Sequence, residues 1–272
     1  MASRIQRPRR RRMLSLTVRA RERMSPHRVR VTLGGDDVRH LEPSGYDRSG
    51  RLFFAGPGEE EAVVLPDSER WMLQLALAGS RPRPHVRTYT VRRVRPEAGE
   101  LDLEIALHGA GGSGAPAGPG ARWALGAALG SRVAFLDEGF SYAPPPGAAW
   151  QLLVGDETAL PALLAILEGS APGLPAVVFA EVPAPEDIPG GVTAPPGTPV
   201  HWLPREDPAA RHSTLALEAV RAARFPGGRC YAWVAGEAGL ATGVRRHLVG
   251  ERGVARADVT FRGYFRHGRA AL

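Results

Sequence analysis

One cysteine, Cys230, stands in 272 residues. An intrachain disulfide is therefore excluded, and no Cys/His cluster has the spacing of a zinc site. Long hydrophobic runs are missing as well. The apolar stretch behind the N-terminal arginines, Met13 to Val18, holds two hydroxyl residues and ends at Arg19. That is too short for a signal-peptide core, and nothing elsewhere approaches a membrane span. A cytoplasmic protein is expected. Lysine is absent, so all 35 basic residues are arginines. With the abundance of Gly, Pro and Ala, this reads as compositional bias with little functional weight. No aromatic residue interleaves with Arg7, Arg9, Arg10, Arg11 and Arg12, as a base-stacking arm would require. Residues 1–13 are expected to form a solvated, disordered tail, with no nucleic-acid partner.

Two further absences bear on chemistry. Without G-x-S-x-G or a Ser/His/Asp arrangement, a hydrolytic triad has no candidate. Without G-x-G-x-x-G, the tight-turn dinucleotide fingerprint is missing. Asp156 and Glu157 are sequence neighbours, not the facing carboxylates of a glycosidase.

What is present is a folded, basic, two-part chain. The hydrophobic fraction of 43% fits a globular protein, and the net charge of +7 favours anionic partners. From Leu14 to Asp137 the signals are for strands: "LSLTVRARERM", "HRVRVTLGG", "RLFFA", "WMLQLALAG", "RTYTVRRV", "ELDLEIALHG" and "SRVAFLDEG". Short, alternating and separated by turn residues, they predict an antiparallel barrel over 14–143. Pro144 to Gly147 mark a linker, placed at 144–149. Over 150–272, strands such as "WQLLVGD", "AVVFAEV", "PVHWLPRE" and "CYAWVAGE" alternate with helical patterns. That rhythm predicts a doubly wound parallel sheet, whose ligands settle beyond the strands' carboxyl ends. A β barrel followed by an α/β unit suits two cofactors meeting at a crevice.

Several stretches carry candidate chemistry. On one strand, Arg87 and Tyr89 share a face and Thr88 and Thr90 share the other. Tyr89 offers a ring to stack upon, Arg87 a planar fork for phosphate, and Thr90 a hydrogen bond for a flavin ring nitrogen. A β-propensity run with one snorkelling arginine accounts for the same letters equally well. In "GPGARWA", Pro119 suits the first turn of a helix beginning near Ala121, and its N–H groups make an anion site. The preceding Gly/Ala run, Ala110 to Ala117, reads as a loop. In "GDETALPALL", Gly155, Asp156 and Glu157 end a strand, Thr158 is placed to cap a helix and Pro161 falls in its first turn. Gly236 and Glu237 repeat that strand-end placement. The acids would repel a phosphate but accept hydrogen bonds from ribose hydroxyls or a carboxamide. His108 reads as a cofactor contact or a satisfied turn histidine. Arg205 is a candidate for a 2′-phosphate, though a solvated loop arginine is the stronger reading.

Taken in order, "RVRVTLGG", "GYDRSGRLFFA", "RTYTVRR", "LHG" with "GPGARWA", "GDETALPALL", "WVAGEAG" and "RGYFRHG" resemble the siderophore-interacting proteins, flavin-dependent ferric-siderophore reductases of the ferredoxin-reductase-like superfamily. The resemblance runs from about Leu16 to Gly268. It implies FAD on a Greek-key barrel, with Arg87, Tyr89 and Thr90 at the isoalloxazine and phosphate chain. His108, Gly118, Gly120, Ala121 and Trp123 would line the pyrophosphate and adenine side. Asp156, Thr158 and Ala159 would border the flavin and nicotinamide. It also implies NAD(P)H or reduced ferredoxin as donor, and a basic substrate pocket using Arg51, Arg245 or Arg246, and Arg266. The departures are Arg51 where the family has lysine, "GYFR" where it has a tryptophan, and the lengthened Gly/Ala loop. A relative recruited to biosynthesis, acting on an organic substrate or supplying electrons to a partner, is the alternative.

Overall fold

The structure, a computed structural model, describes residues 5–41, 45–107, 117–205 and 213–267. The chain divides between Phe140 and Ser141 into two compact units.

The first unit is a closed barrel of β1 (Met13–Ser25), β2 (Arg28–Gly34), β3 (Ser49–Phe54), β4 (His85–Arg95), β5 (Glu100–Ala106) and β6 (Arg132–Gly139). The strands run β1-β2-β5-β4-β3-β6, every pairing antiparallel. Alternation fills it: Val29, Val31 and Leu33 of β2 meet Leu101, Leu103 and Ile105 of β5 in the core. Between them, on the outer face, Arg30 pairs with Glu104 and Thr32 donates to Asp102. Helix α2 (Pro119–Gly126) contributes Ala121, Trp123 and Ala124 to that core, with the Trp123 ring 5.0 Å from Phe54.

Two expectations change here. "WMLQLALAG" alternates like a strand, yet Trp71–Leu77 form a helix, α1. A closed barrel has no free edge for a seventh strand, and Leu, Met, Gln and Ala are strong helix formers. Trp71 packs edge-on against Phe53 at 5.2 Å, and Leu75 is buried. The N-terminal tail is tied down over its described part. Gln6 exchanges backbone hydrogen bonds with Phe140, and Arg11 pairs with Glu138 at 2.6 Å.

The second unit is a parallel sheet, ordered β11-β10-β7-β8-β9. Its strands are β7 (Trp150–Gly155), β8 (Ala176–Val182), β9 (Val200–Pro204), β10 (Cys230–Glu237) and β11 (Val259–Phe265). Helices α3 (Leu160–Gly169), α4 (Thr214–Ala222) and α5 (Ala238–Gly250) cover it. Because both faces are covered, β7 and β10 are buried at every position. Leu152, Val154 and Val234 meet α4 and α5 on one face; Leu153, Tyr231 and Trp233 meet α3 on the other. The chain leaves β7 toward β8 and β9, then returns to β10 on the far side of β7. This reversal makes the carboxyl ends of β7 and β10 the topological switch point. Tyr142 and Ala143 already belong to this unit, bonding Gln151 and the Tyr231 hydroxyl.

Candidate functional site

In the barrel, Arg87 and Tyr89 of β4 turn toward the start of α2. A Cβ built on Gly120 would lie 1.9 Å from the Tyr89 phenol oxygen and 3.8 Å from Arg87 Cγ. The phenol thus rests against the helix backbone, an approach only glycine permits. Gly118 caps α2 without a side-chain hydrogen bond and Pro119 opens it, so among the described residues no cap side chain takes its first-turn amides. Burial pushes the Tyr89 phenol up to about 12, with Arg87 pulling it back. The hydroxyl therefore keeps its proton and stays a donor across physiological pH. Thr88, exposed, and Thr90, buried opposite Ser49, take the other face of β4. Ala121 offers this place only its first-turn amide, and Trp123 is buried. Their side chains turn into the barrel core, where they anchor α2. His108 lies outside the described residues.

At the switch point of the α/β unit the carboxylates are engaged by the protein itself. Asp156 Oδ1 accepts from the Thr158 amide at 2.9 Å and hydroxyl at 2.5 Å. Its Oδ2 accepts from the Ser213 hydroxyl at 2.9 Å and the Glu237 amide at 2.6 Å. Thr158 is therefore not the helix cap expected of it. Its hydroxyl serves Asp156, and Ala159 precedes α3. Burial, then the charge of Glu157, pushes Asp156 up to about 6, against the pull of those donors. Gly236 has φ 128°, and a Cβ there would sit 2.4 Å from Asp156 Oδ2, so both backbone and space require glycine. A Cβ on Gly155 would meet that of Ala159 at 2.7 Å.

Glu157 engages Arg205 through two bonds, 3.0 and 2.9 Å, and Arg205 also donates to Glu181 at 3.1 Å. This corrects the reading of Arg205 as a solvated loop residue or a 2′-phosphate partner. It is 3% exposed, its fork spent on two buried carboxylates. Burial opposes its charge, but the bonds to Glu157 and Glu181 raise its pKa above the ordinary guanidinium value. Glu181 accepts the Ser213 and Ala216 amides at 2.6 and 3.1 Å, sealing the start of α4. Ser213 adopts a left-handed φ of 69°, a costly conformation for serine that Asp156 and Glu181 hold from two sides. Glu237 seals α5 in the same way, accepting from Gly239 and Leu240. A phosphate arriving at either helix start meets amides already taken by a carboxylate.

The comparisons with known proteins agree with both halves. Residues 17–141 match the siderophore-interacting FAD-binding domain, and residues 148–268 match the siderophore-interacting protein family. The chain belongs to the siderophore-interacting protein family. A siderophore utilization protein from T. fusca superposes with a TM-score of 0.80 at 32% identity, over 98% of this chain and 97% of that one. The ferric vibriobactin reductase ViuB of Vibrio cholerae is 30% identical over 90% of this chain and 86% of its own. The ferredoxin reductase in carbazole 1,9a-dioxygenase shares the fold alone, with a TM-score of 0.65 at 17% identity over 95% and 71% of the two chains. The protein is an FAD-dependent oxidoreductase of ferredoxin-reductase-like architecture.

The barrel's residues fit that cofactor. A guanidinium, a helix start without a side-chain cap and a neutral phenol suit a phosphate chain beside a flat ring. The arginines expected of the family's basic pocket divide between the units. Arg51 of the barrel is 2.9 Å from Glu138 and stacks over the Trp71 ring at 5.2 Å. In the α/β unit, Arg245 is committed to the Phe261 face at 4.8 Å, whereas Arg246 and Arg266 are exposed. Sequence reasoning missed Glu181 and Ser213 as members of the switch-point network. A charged residue near the end of an apolar strand was the available signal for Glu181.

Proposed function

We propose that this family member is a ferric-siderophore reductase that takes electrons from NAD(P)H and delivers them, through FAD, to a chelated Fe(III). The observation that carries the reading is the placement of Arg87 and the protonated Tyr89 phenol against the start of α2, in a chain matching both family domains. The ferric reductase named among the relatives supports the substrate class.

FAD, when bound, supplies a store of two electrons that can leave singly. The chain's own residues bind and orient. Arg87 and the first-turn amides of α2 hold anionic phosphate, and Tyr89 supplies ring and hydroxyl. In the α/β unit, Asp156, already holding four donors, shapes the switch point instead of offering itself to a ligand. In the α/β unit, Arg246 and Arg266, exposed and unable to lose their charge, draw an anionic chelate. One NAD(P)H yields two electrons and so reduces two Fe(III) to Fe(II), leaving NAD(P)+ and one proton. Hard oxygen ligands hold Fe(III) more tightly than Fe(II), so reduction frees the metal.

Anaerobic titration tests this. Purified protein carrying FAD should bleach with NADH or NADPH and regain its colour on adding a ferric catecholate or hydroxamate, with Fe(II) trapped by a chromogenic chelator. Reduced protein that ignores ferric chelates would sink the proposal and favour an organic substrate.

A further inference from the structure

Ahead of β1, residues 5–12 are seated on the end of β6. Gln6 and Phe140 exchange backbone hydrogen bonds of 2.7 and 3.1 Å. Gly139 has φ 88°, and a Cβ there would stand 2.0 Å from the Gln6 carbonyl oxygen. Only glycine admits so close an approach, so this strap has a built seat. It delivers Arg11, whose Nη2 lies 2.6 Å from Glu138 Oε1 and whose Nε donates to the Asp137 carbonyl at 3.5 Å. Arg11 precedes the residues matched to the FAD-binding domain, which begin at 17.

The same Glu138 oxygen receives a second cation, with Arg51 Nε at 2.9 Å. Arg51 lies over the Trp71 ring, 5.2 Å from its centroid, and pairs in register with the exposed Thr88. Because the contact with Glu138 engages Nε, the terminal edge of a guanidinium that is 38% exposed is left for a ligand. Two cations on one carboxylate leave one positive charge in excess. The neighbouring acid, Asp137, takes none of it back, being buried and paired with Arg48. Without Arg11, Glu138 would neutralise Arg51 outright and hold the guanidinium to itself.

We propose that Arg11 is a positioning residue for substrate. It takes up the charge of Glu138, so that the Arg51 guanidinium on Trp71 receives anionic ferric chelates in preference to neutral ones. The inference rests on the reductase reading above and adds a charge selector to it. A ferric tris-catecholate is a trianion, whereas a ferric tris-hydroxamate is neutral with the same metal and the same number of oxygen ligands. Of the two, only the trianion gains from a positive excess at Arg51. Since the cluster is part-exposed, the gain is screened by salt.

Binding of gallium(III) chelates to the FAD-loaded full chain, by calorimetry at low ionic strength, tests this without any electron transfer. Arg11→Met should weaken the gallium tris-catecholate by about threefold to tenfold and leave the neutral gallium tris-hydroxamate within about twofold. Glu138→Gln should tighten the trianion by a similar factor. Arg11→Met/Glu138→Gln, which restores the positive excess, should bind it about as wild type does, and Arg11→Lys should keep most of the preference. If Arg11→Met does not fold, Glu138→Gln and Arg11→Lys carry the test. An equal loss for both chelates, a trianion affinity indifferent to Arg11 and Glu138, or a double variant as weak as Arg11→Met would each overturn the proposal. Wild-type protein that binds neither chelate would remove the reductase reading itself, and this inference with it.

Discussion

Replacing Gly120 by alanine tests whether the contact between α2 and Tyr89 is what shapes the cofactor site. The added methyl would stand 1.9 Å from the phenol oxygen, whereas real contacts of this kind essentially never fall under 3.0 Å. The ring or the helix must therefore retreat by more than an ångström. Neither moves freely. The neighbouring Ala121 and Trp123 anchor α2 in the barrel core, and Tyr89 sits mid-strand, paired with Gly50. Overpacking of this kind costs about 1–3 kcal/mol. Because the displaced groups include the phenol and the helix start, FAD affinity should fall by about tenfold or more, since tenfold is about 1.4 kcal/mol. Quenching of flavin fluorescence on titrating apoprotein with FAD reads the affinity, and thermal unfolding of the apoprotein reads the packing cost. Tyr89→Ala should also loosen FAD. In the double variant the alanine at 120 has no phenol to strike, so the two losses should not add, with coupling of about 0.5–3 kcal/mol. Wild-type FAD affinity in Gly120→Ala, or strict additivity in the pair, would refute the reasoning.

Two further predictions concern the switch point. Arg205→Met leaves Glu157 and Glu181 facing each other without their shared cation. Breaking a buried pair this way costs about 3–5 kcal/mol, and urea unfolding should show part of that loss recovered when Glu157 alone becomes glutamine, because both Glu181 oxygens are needed by the Ser213 and Ala216 amides. Asp156, raised from 3.8 to about 6, makes stability depend on pH in a defined direction. A carboxyl whose folded pKa is raised favours the native state fully below about 3.8, and the benefit drains away as pH rises through about 6. The gap amounts to about 3 kcal/mol. The difference in unfolding free energy between wild type and Asp156→Asn should shrink by about that much between pH 3.5 and 6.5, and a difference constant with pH would count against it.

The architecture was legible because the period of the hydrophobic pattern changes at the linker. Val29, Val31 and Leu33 alternate as a half-buried strand must, while "LLV" in β7 and "YAWVA" in β10 are continuous, as in a parallel sheet covered twice. The same logic misled at Trp71–Leu77, where Trp71, Leu73, Leu75 and Leu77 also alternate. Periodicity gives no notice that a barrel is already closed, and α1 sets Leu73 and Leu77 outward while Leu75 goes in. At the site, Arg87, Tyr89 and Gly120 were readable singly, but the 1.9 Å relation between residues 89 and 120 depends on the path of a connection no local rule supplies.

Arg205 shows the limit most clearly. As letters, "LPRED" is a charged loop after a strand. Whether its arginine meets water or carboxylates depends on Glu157 and Glu181, 48 and 24 residues away in the chain. Those glutamates sit near the carboxyl ends of parallel strands, where helix starts concentrate positive potential. Two of the unit's helix starts, those of α4 and α5, are taken by the chain's own carboxylates. The position that in many sheets of this kind receives a ligand's phosphates thus carries protein anions here. A dinucleotide would have to gain its hold in this unit from exposed guanidinium groups and base stacking more than from those helix amides, so its binding should fall steeply with added salt.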